Sequence, residues 1–472
     1  MRNIRIWKVA FMYYRLTDNF ALRSWRFVPR AVIHRKLPRP LQVDEETFDL
    51  LKLCDGEHDL PENERIRKLC ERKVIAPCDQ GENPSEWSML HQYDHRYLAG
   101  IKLMLTGKCN LNCRHCFNAA DNADMMQEWS WDELMDLLDQ AEECGVHFIT
   151  LTGGEPMIHP KFTDLVREIY RRNMVIESLL TNGWFLTQDT LDLFKEIGAK
   201  PVIRISFDGI GHHEWMRNQK CSEDRTLKAI RLCAENGFIT QAQTQVYREN
   251  LDTLRDTICL LEETGATKTR LIRTGESMRW NKNEGNCVPV DEYMELMLDL
   301  ADWYMHGRHS MQIDIWQFLW IDPLEGTYNM LKDKSLTPTT PLCVNNRAIM
   351  SITNEGQVVP CMPMGAYVSR FGIPSDNVKE RKLKDILDSG AWIDTVCANH
   401  YDMAVNNAQC RECEWFDRCG AGCRFAGVIC SGEFNNAPDY YGPDAIACLF
   451  FRGGWINKVK ERLKDFRCVN RT

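Results

Sequence analysis

The chain has 472 residues, 44% of them hydrophobic, enough to bury a large core and, by length, to form two to four domains. A net charge of −9 and a pI near 5.8 argue against a surface built to neutralise phosphates, so nucleic acid is not an expected partner. The first sixteen residues contain no uninterrupted h-region, small-residue cleavage site or membrane-length run, so a cytoplasmic protein with no membrane association is expected. Twenty-one cysteines in such a chain point to metal or redox chemistry rather than to disulfides.

Residues 1–97 read as a separate module. Residues 1–43 carry ten Lys/Arg against a single acid, Asp18, a basic face suited to an acidic peptide or simply to solvent. RSWRFVPRAVIHRKL predicts strand and connecting coil. DEETFDLLKLCDG predicts a helix stopped at Asp55-Gly56, ENERIRKLCERK a second helix, and VIAPC a short strand. Two helices with strands in so short a span suggest a winged-helix-like fold.

Residues 98–275 alternate strand and helix. KLMLT, FITLTGGE, ESLLTNG, VIRISFDG, TQAQTQVY and KTRLIRT read as strands, with helical patterns such as WDELMDLLDQAEECG between them. The α/β class and a partial (β/α)6 barrel follow, with ligand sites expected at the C-terminal strand ends. Residues 276–340 read as an aromatic, mostly helical connector. Residues 341–472 lose apolar periodicity and gain cysteines, as expected of a loop-rich domain that needs bound metal to fold.

Polar and thiol motifs fall at the predicted strand ends. The loop TGKCNLNCRHCFN places Cys109, Cys113 and Cys116 after the first strand, a spacing that wraps three soft thiolates around a metal and leaves one position open. A zinc loop completed by a fourth ligand such as His115 is the alternative on spacing alone. GGEP follows the second strand, where Gly153 and Gly154 permit close backbone approach and Glu155 offers a carboxylate to an ammonium.

In combination these motifs resemble the radical S-adenosylmethionine (SAM) superfamily, CNLNCRHC matching its CxxxCxxC loop and TGGEP its GGEP motif. The resemblance implies that Cys109, Cys113 and Cys116 hold a [4Fe–4S] cluster whose fourth iron binds SAM, giving a 5′-deoxyadenosyl radical that abstracts hydrogen. By the same resemblance Asn182 in TNG, Ser206 and Asp208 in SFDG, and His213 with Arg217 in HHEWMR contact SAM or shape its pocket; a structural turn or surface salt bridge is the other reading of each. No residue is assigned a catalytic acid–base role.

CVNNRAIMSITNEGQVVPC, with Gly356 in place, and CRECEWFDRCGAGC resemble the SPASM domain, an auxiliary-cluster extension of radical SAM enzymes that modify peptides and proteins. The resemblance implies a distal [4Fe–4S] cluster on Cys410, Cys413, Cys419 and Cys448, and a nearer one on Cys343, Cys361 and Cys423. TPTTPL stands where some relatives have a further cysteine, so the nearer cluster is either open at its fourth iron or completed by Cys287 or Cys430; Cys430 also rivals Cys448. A zinc ribbon is the alternative for this region. FDLLKLCDGEHDL resembles the leader-recognition fold of the small peptide chaperone of pyrroloquinoline quinone biosynthesis, which binds a leader as an added strand.

Together these readings predict a peptide maturase that installs a crosslink, thioether or carbon–carbon, in a ribosomally made precursor peptide with a leader. Three [4Fe–4S] clusters, SAM and a reducing partner of flavodoxin or ferredoxin type are expected. An anaerobic sulfatase-maturing enzyme and a non-catalytic iron–sulfur electron carrier are the alternatives.

Overall fold

The computed structural model describes residues 11–116, 126–275, 280, 285–330, 336–343, 347–428 and 439–469. The N-terminal module has two small sheets. β1 (Phe11–Leu16) lies between β5 (Asp55–Pro61) and β6 (Ile75–Cys78), antiparallel to both. β2 (Phe20–Trp25) and β3 (Val28–His34) form a hairpin, flanked by β4 (Leu41–Gln42) and β7 (His91–Gln92). Helices α1 (Glu45–Lys52) and α2 (Glu64–Glu71) start where Asp44 and Asn63 accept backbone N–H bonds from Thr47 and Ile66. Phe48, Leu51 and Ile66 pack with Tyr14, Leu22 and Ile75 into a core of their own. Strand and helix lie near their expected places, except that Asp55-Gly56 begins β5 as well as ending α1.

A twelve-stranded sheet dominates the rest. Its centre is parallel: β8 (Gly100–Met104), β9 (Phe148–Thr152), β10 (Val175–Thr181), β11 (Val202–Ser206), β12 (Thr240–Val246) and β13 (Lys268–Arg273). The intervening helices are α3 (Trp131–Glu143), α4 (Phe162–Arg171), α5 (Gln188–Glu196), the short α6 (His213–Arg217) with α7 (Ser222–Glu235), and α8 (Leu254–Glu263). α3 shows why they form. A capping box between Ser130 and Glu133 satisfies its first N–H groups, and Leu134, Leu137, Leu138 and Ala141 line the face turned to the sheet. Ile101, Leu103, Ile149, Leu151, Ile203 and Ile205 answer from the strands.

The partial barrel is thus present, but the region read as a mostly helical connector also contributes strands. α9 (Val290–His306) leads to β14 (Gln312–Ile315), parallel to β13, and then to antiparallel β15 (Leu319–Asp322) and β16 (Thr327–Met330). β14 and β16 alternate polar and apolar residues over only four positions, and β15 does not alternate, so no period stands out beside the long apolar helix. On the opposite edge β17 (Ile349–Ile352) runs parallel to β8 and turns back through β18 (Val358–Val359). β19 (Arg467–Cys468) closes the β16 edge. The sheet therefore joins the barrel to the cysteine-rich region through backbone hydrogen bonds. No helix among the described residues is long and apolar enough to cross a membrane.

Candidate functional site

The first thiol loop leaves the C-terminal end of β8 and is held from two neighbouring strand ends. Gly154 N–H donates to the Thr106 carbonyl and Glu155 N–H to that of Lys108, both at 2.8 Å. A Cβ at Gly154 would run into the Lys108 carbonyl, and one at Gly153 into that of Thr106, so both glycines are needed for the turn to lie against the loop. Lys108 Nζ is tied to Glu128 at 3.0 Å, and Glu128 also accepts from the Thr106 hydroxyl at 3.2 Å.

Glu155 faces the interior. Fully buried, it accepts from the Thr181 hydroxyl at 2.8 Å, from Asn182 N–H at 2.8 Å and from Met157 N–H at 3.2 Å. Burial raises its carboxyl to about 7 despite these donors. The carboxylate thus fastens the GGEP turn to the TNG turn. Asn182 continues the chain of contacts: its Nδ2 donates to Asn110 Oδ1 at 2.8 Å and approaches Cys109 Sγ at 3.9 Å.

A second buried network reaches the loop from β11 and α6. Arg217 Nε lies 2.6 Å from Asp208 Oδ2 and its Nη1 3.7 Å from Cys113 Sγ. Asp208 also accepts from Gln245 N–H at 3.1 Å, and its own N–H donates to His213 Nδ1, whose Nε2 faces the Thr226 hydroxyl. The His213 imidazole is held neutral by burial and then by Arg217. Ser206 ends β11 beside Gln243, on the same face of the sheet.

The three thiols of the loop interact electrostatically with one another, and burial pushes Cys109 up to about 12 and raises Cys113, with Arg217 opposing the rise at Cys113. Among the described residues no three His, Cys, Asp or Glu side chains converge as ligands of one ion do. Thiols on a cubane each take a different iron, so they stand farther apart than ligands of a single zinc. Soft thiols held protonated, as burial holds Cys109 and Cys113, suit a group that supplies positive charge and releases the protons on binding.

The C-terminal thiols fall into two groups. Cys361 neighbours Cys423 and Cys343, with burial first among the causes that push it up to about 12. Cys410, Cys413, Cys419 and Cys448 line one hollow with Trp415, Phe416 and Phe451. Asp444 organises both groups: it accepts Cys423 N–H at 2.7 Å while capping the helix Ala445–Arg452 that carries Cys448. Arg424, 3% exposed, donates to the carbonyls of Tyr440, Gly442 and Ala421 and pins the surrounding loops. Spacing gave no hint of Asp444 or Arg424, because their roles depend on carbonyls and N–H groups from other loops. Cys287 lies elsewhere, accepting from Trp280 Nε1 at 3.1 Å in an aromatic group with Met216 and Tyr247. Cys430 lies outside the described residues.

Residues 103–261 match the Radical SAM superfamily and residues 343–414 the iron–sulfur cluster-binding SPASM domain. The chain therefore carries a radical SAM domain followed by a SPASM domain, and is a radical SAM enzyme whose cofactors are SAM and iron–sulfur clusters. Among curated proteins it is similar to an AdoMet-dependent heme synthase of Methanosarcina barkeri, 24% identical over 71% of this chain and 94% of that one. It is also similar to a PqqA peptide cyclase of Granulibacter bethesdensis, 22% identical over 71% and 85%. Among solved structures, Streptococcus suis SuiB bound to precursor peptide SuiA shares the fold with a TM-score of 0.63, 13% identity and coverage of 92% of this chain and 99% of that one.

Proposed function

We propose that this protein is a radical SAM peptide maturase that installs a thioether or carbon–carbon crosslink, or a related modification, in a ribosomally made precursor peptide. The observation that carries the reading is the whole-chain likeness to an enzyme bound to its precursor peptide. Coverage of 92% cannot be reached without most of the N-terminal module. In this reading residues 1–97 recognise a leader by adding it as a strand to an exposed sheet edge, 98–275 form the barrel, 276–340 connect, and 341–472 hold the auxiliary clusters.

Cys109, Cys113 and Cys116 would hold the SAM-binding [4Fe–4S] cluster, Cys343, Cys361 and Cys423 the nearer auxiliary cluster, and Cys410, Cys413, Cys419 and Cys448 the distal one. When bound, the first cluster and SAM supply reductive cleavage to a 5′-deoxyadenosyl radical. The chain's own residues position and shield. Gly153 and Gly154 let the GGEP turn lie on the thiol loop. Glu155 and Asn182 fix its neighbour. Asp208 holds the Arg217 guanidinium against Cys113, and Ser206 completes the SAM pocket. Electrons would come from a flavodoxin or ferredoxin type of donor.

The heme synthase relatives favour a second reading, a tetrapyrrole substrate, since that match also spans 71% of the chain. The deciding experiment incubates reconstituted enzyme, SAM and dithionite with a short precursor encoded beside its gene. A mass change in the peptide with release of 5′-deoxyadenosine supports maturation. Unchanged peptide together with turnover of an iron tetrapyrrole overturns it.

A further inference from the structure

The strands of the barrel bury apolar residues on their helix-facing side and carry charge on the other. Ile101, Leu103, Ile203, Ile205, Leu271 and Ile313 belong to the core under the helices, so the alternating positions Lys102, Arg204, Arg270 and Asp314 face the barrel interior. Glu177, displaced by the irregularity in β10, joins them by accepting the Thr150 hydroxyl at 3.0 Å. Arg204 lies within electrostatic reach of Lys102, Arg270, Glu177 and Asp314, and Lys102 also neighbours Cys361.

The charges do not balance within the protein. Arg270 takes Asp314 through both Nε, at 2.8 Å, and Nη2, at 2.7 Å, and Glu177 already has a hydroxyl donor. Three donors remain. Among the described residues no acceptor hydrogen-bonds to Lys102 or Arg204, and Arg204 Nε and Gln243 Nε2 are both buried without a partner. Arg204 Nε and Gln243 Nε2 are out of water with no acceptor, which is costly, while Lys102 is half-buried beside them, and an anionic ligand would supply the missing acceptor. Gln243 pairs with Ser206, so this place adjoins the SAM pocket on one side, while Lys102 has Cys361 as its thiol neighbour on the other.

We propose that Lys102, Arg204 and Gln243 form a carboxylate-binding subsite for a Glu or Asp side chain of the substrate peptide. The subsite rests on the peptide reading above. Lys102, Arg204 and Arg270, with Lys268 on the same face of β13, outnumber Glu177 and Asp314, so an incoming carboxylate moves the interior toward neutrality.

The test uses the full chain with reconstituted clusters and saturating SAM. Calorimetry compares Ac-Gly-Glu-Gly-NH2 with its uncharged isostere Ac-Gly-Gln-Gly-NH2. The Glu peptide is expected to bind about tenfold more tightly, equivalent to one charge-assisted contact. Lys102→Met and Arg204→Gln should each remove most of that preference. Lys102→Glu should reverse it toward Ac-Gly-Lys-Gly-NH2, a gain that misfolding cannot produce. Equal or unmeasurable binding of the Glu and Gln peptides overturns the subsite. So does a preference that survives both neutralising variants, or carboxylate-dependent binding of deuteroporphyrin over its dimethyl ester when neither tripeptide binds. Dithionite and the precursor peptide added to the same wild-type samples keep the two failures apart. A mass change in the precursor with equal tripeptide binding overturns the subsite alone; an unchanged precursor overturns the function on which it rests, and the subsite with it.

Discussion

Arg217 grips Asp208 through two contacts, Nε to Oδ2 at 2.6 Å and Nη2 to Oδ1 at 3.1 Å, with both side chains buried. The same guanidinium reaches Cys113, so the pair is a brace between β11 and the thiol loop as well as an ion pair. Asp208→Asn leaves the guanidinium buried without a countercharge, at a cost of about 3–5 kcal/mol. Thermal unfolding should show a lower midpoint, and iron analysis should show selective loss from the first loop. An unchanged midpoint would mean that the pair contributes nothing to the brace.

Gly154→Ala places a methyl group against the Lys108 carbonyl, which is backbone and cannot swing aside. The turn must then back away from the loop, at a cost of about 1–3 kcal/mol for overpacking. SAM affinity, followed by calorimetry on the reconstituted protein, should fall by about 5- to 150-fold for a displacement of that cost. Gly275→Ala, where φ is likewise not positive and a Cβ makes only an ordinary contact with the Arg273 side chain, is the control for the loss of a glycine.

Cys113→Ala should abolish 5′-deoxyadenosine release while leaving the absorption of the auxiliary clusters largely intact, because Cys361 and Cys448 belong to other thiol groups. Cys448→Ala should do the reverse to the spectrum, removing a C-terminal cluster and sparing SAM binding. A single variant that strips all the iron would contradict this separation.

His147 links the barrel to the N-terminal module, its Nε2 lying 2.6 Å from the Leu37 carbonyl and 3.1 Å from that of His34. Burial lowers its pKa to about 4, against the raising effect of the two carbonyls. In the unfolded chain it titrates at 6.5. Above that value both states are neutral and pH has no effect through this group. As pH falls below 6.5 the unfolded chain binds a proton that the folded one refuses, so stability drops, by roughly 3 kcal/mol in all by the time pH reaches the folded value. Urea midpoints between pH 7.5 and 5 should fall more steeply for wild type than for His147→Gln, which keeps an N–H donor but cannot titrate. Parallel slopes would remove His147 as the cause.

Much of the barrel was legible because βαβ units announce themselves over short windows: WDELMDLLDQAEE repeats its apolar face every turn, and FITLT is a short run of aromatic, aliphatic and β-branched residues. β14–β16 escaped notice because four-residue strands have no period to read. Glu155 looked available to an ammonium because a carboxylate after two glycines reads as exposed, yet Thr181 and Asn182, a strand away, turn it inward. Lys102 in KLMLT and Arg204 in VIRIS carried a signal that could have been used, a charge at the centre of an otherwise apolar parallel strand.

The sequence alone determined the chemistry of the first site, since three thiols within eight residues and a GGEP turn one strand later act through local spacing. It also determined the alternation that builds the barrel. The resemblance of the C-terminal motifs had already grouped the distant thiols; only the tertiary structure decided which carboxylates are spent on neighbours and which cations are left over inside. Those outcomes depend on contacts between residues tens to hundreds of positions apart. Packing makes such contacts when β17 pairs with β8 and Asp444 draws Cys423 to the helix of Cys448. A side chain's partner, and hence its charge and its availability to a ligand, is set by that path through space.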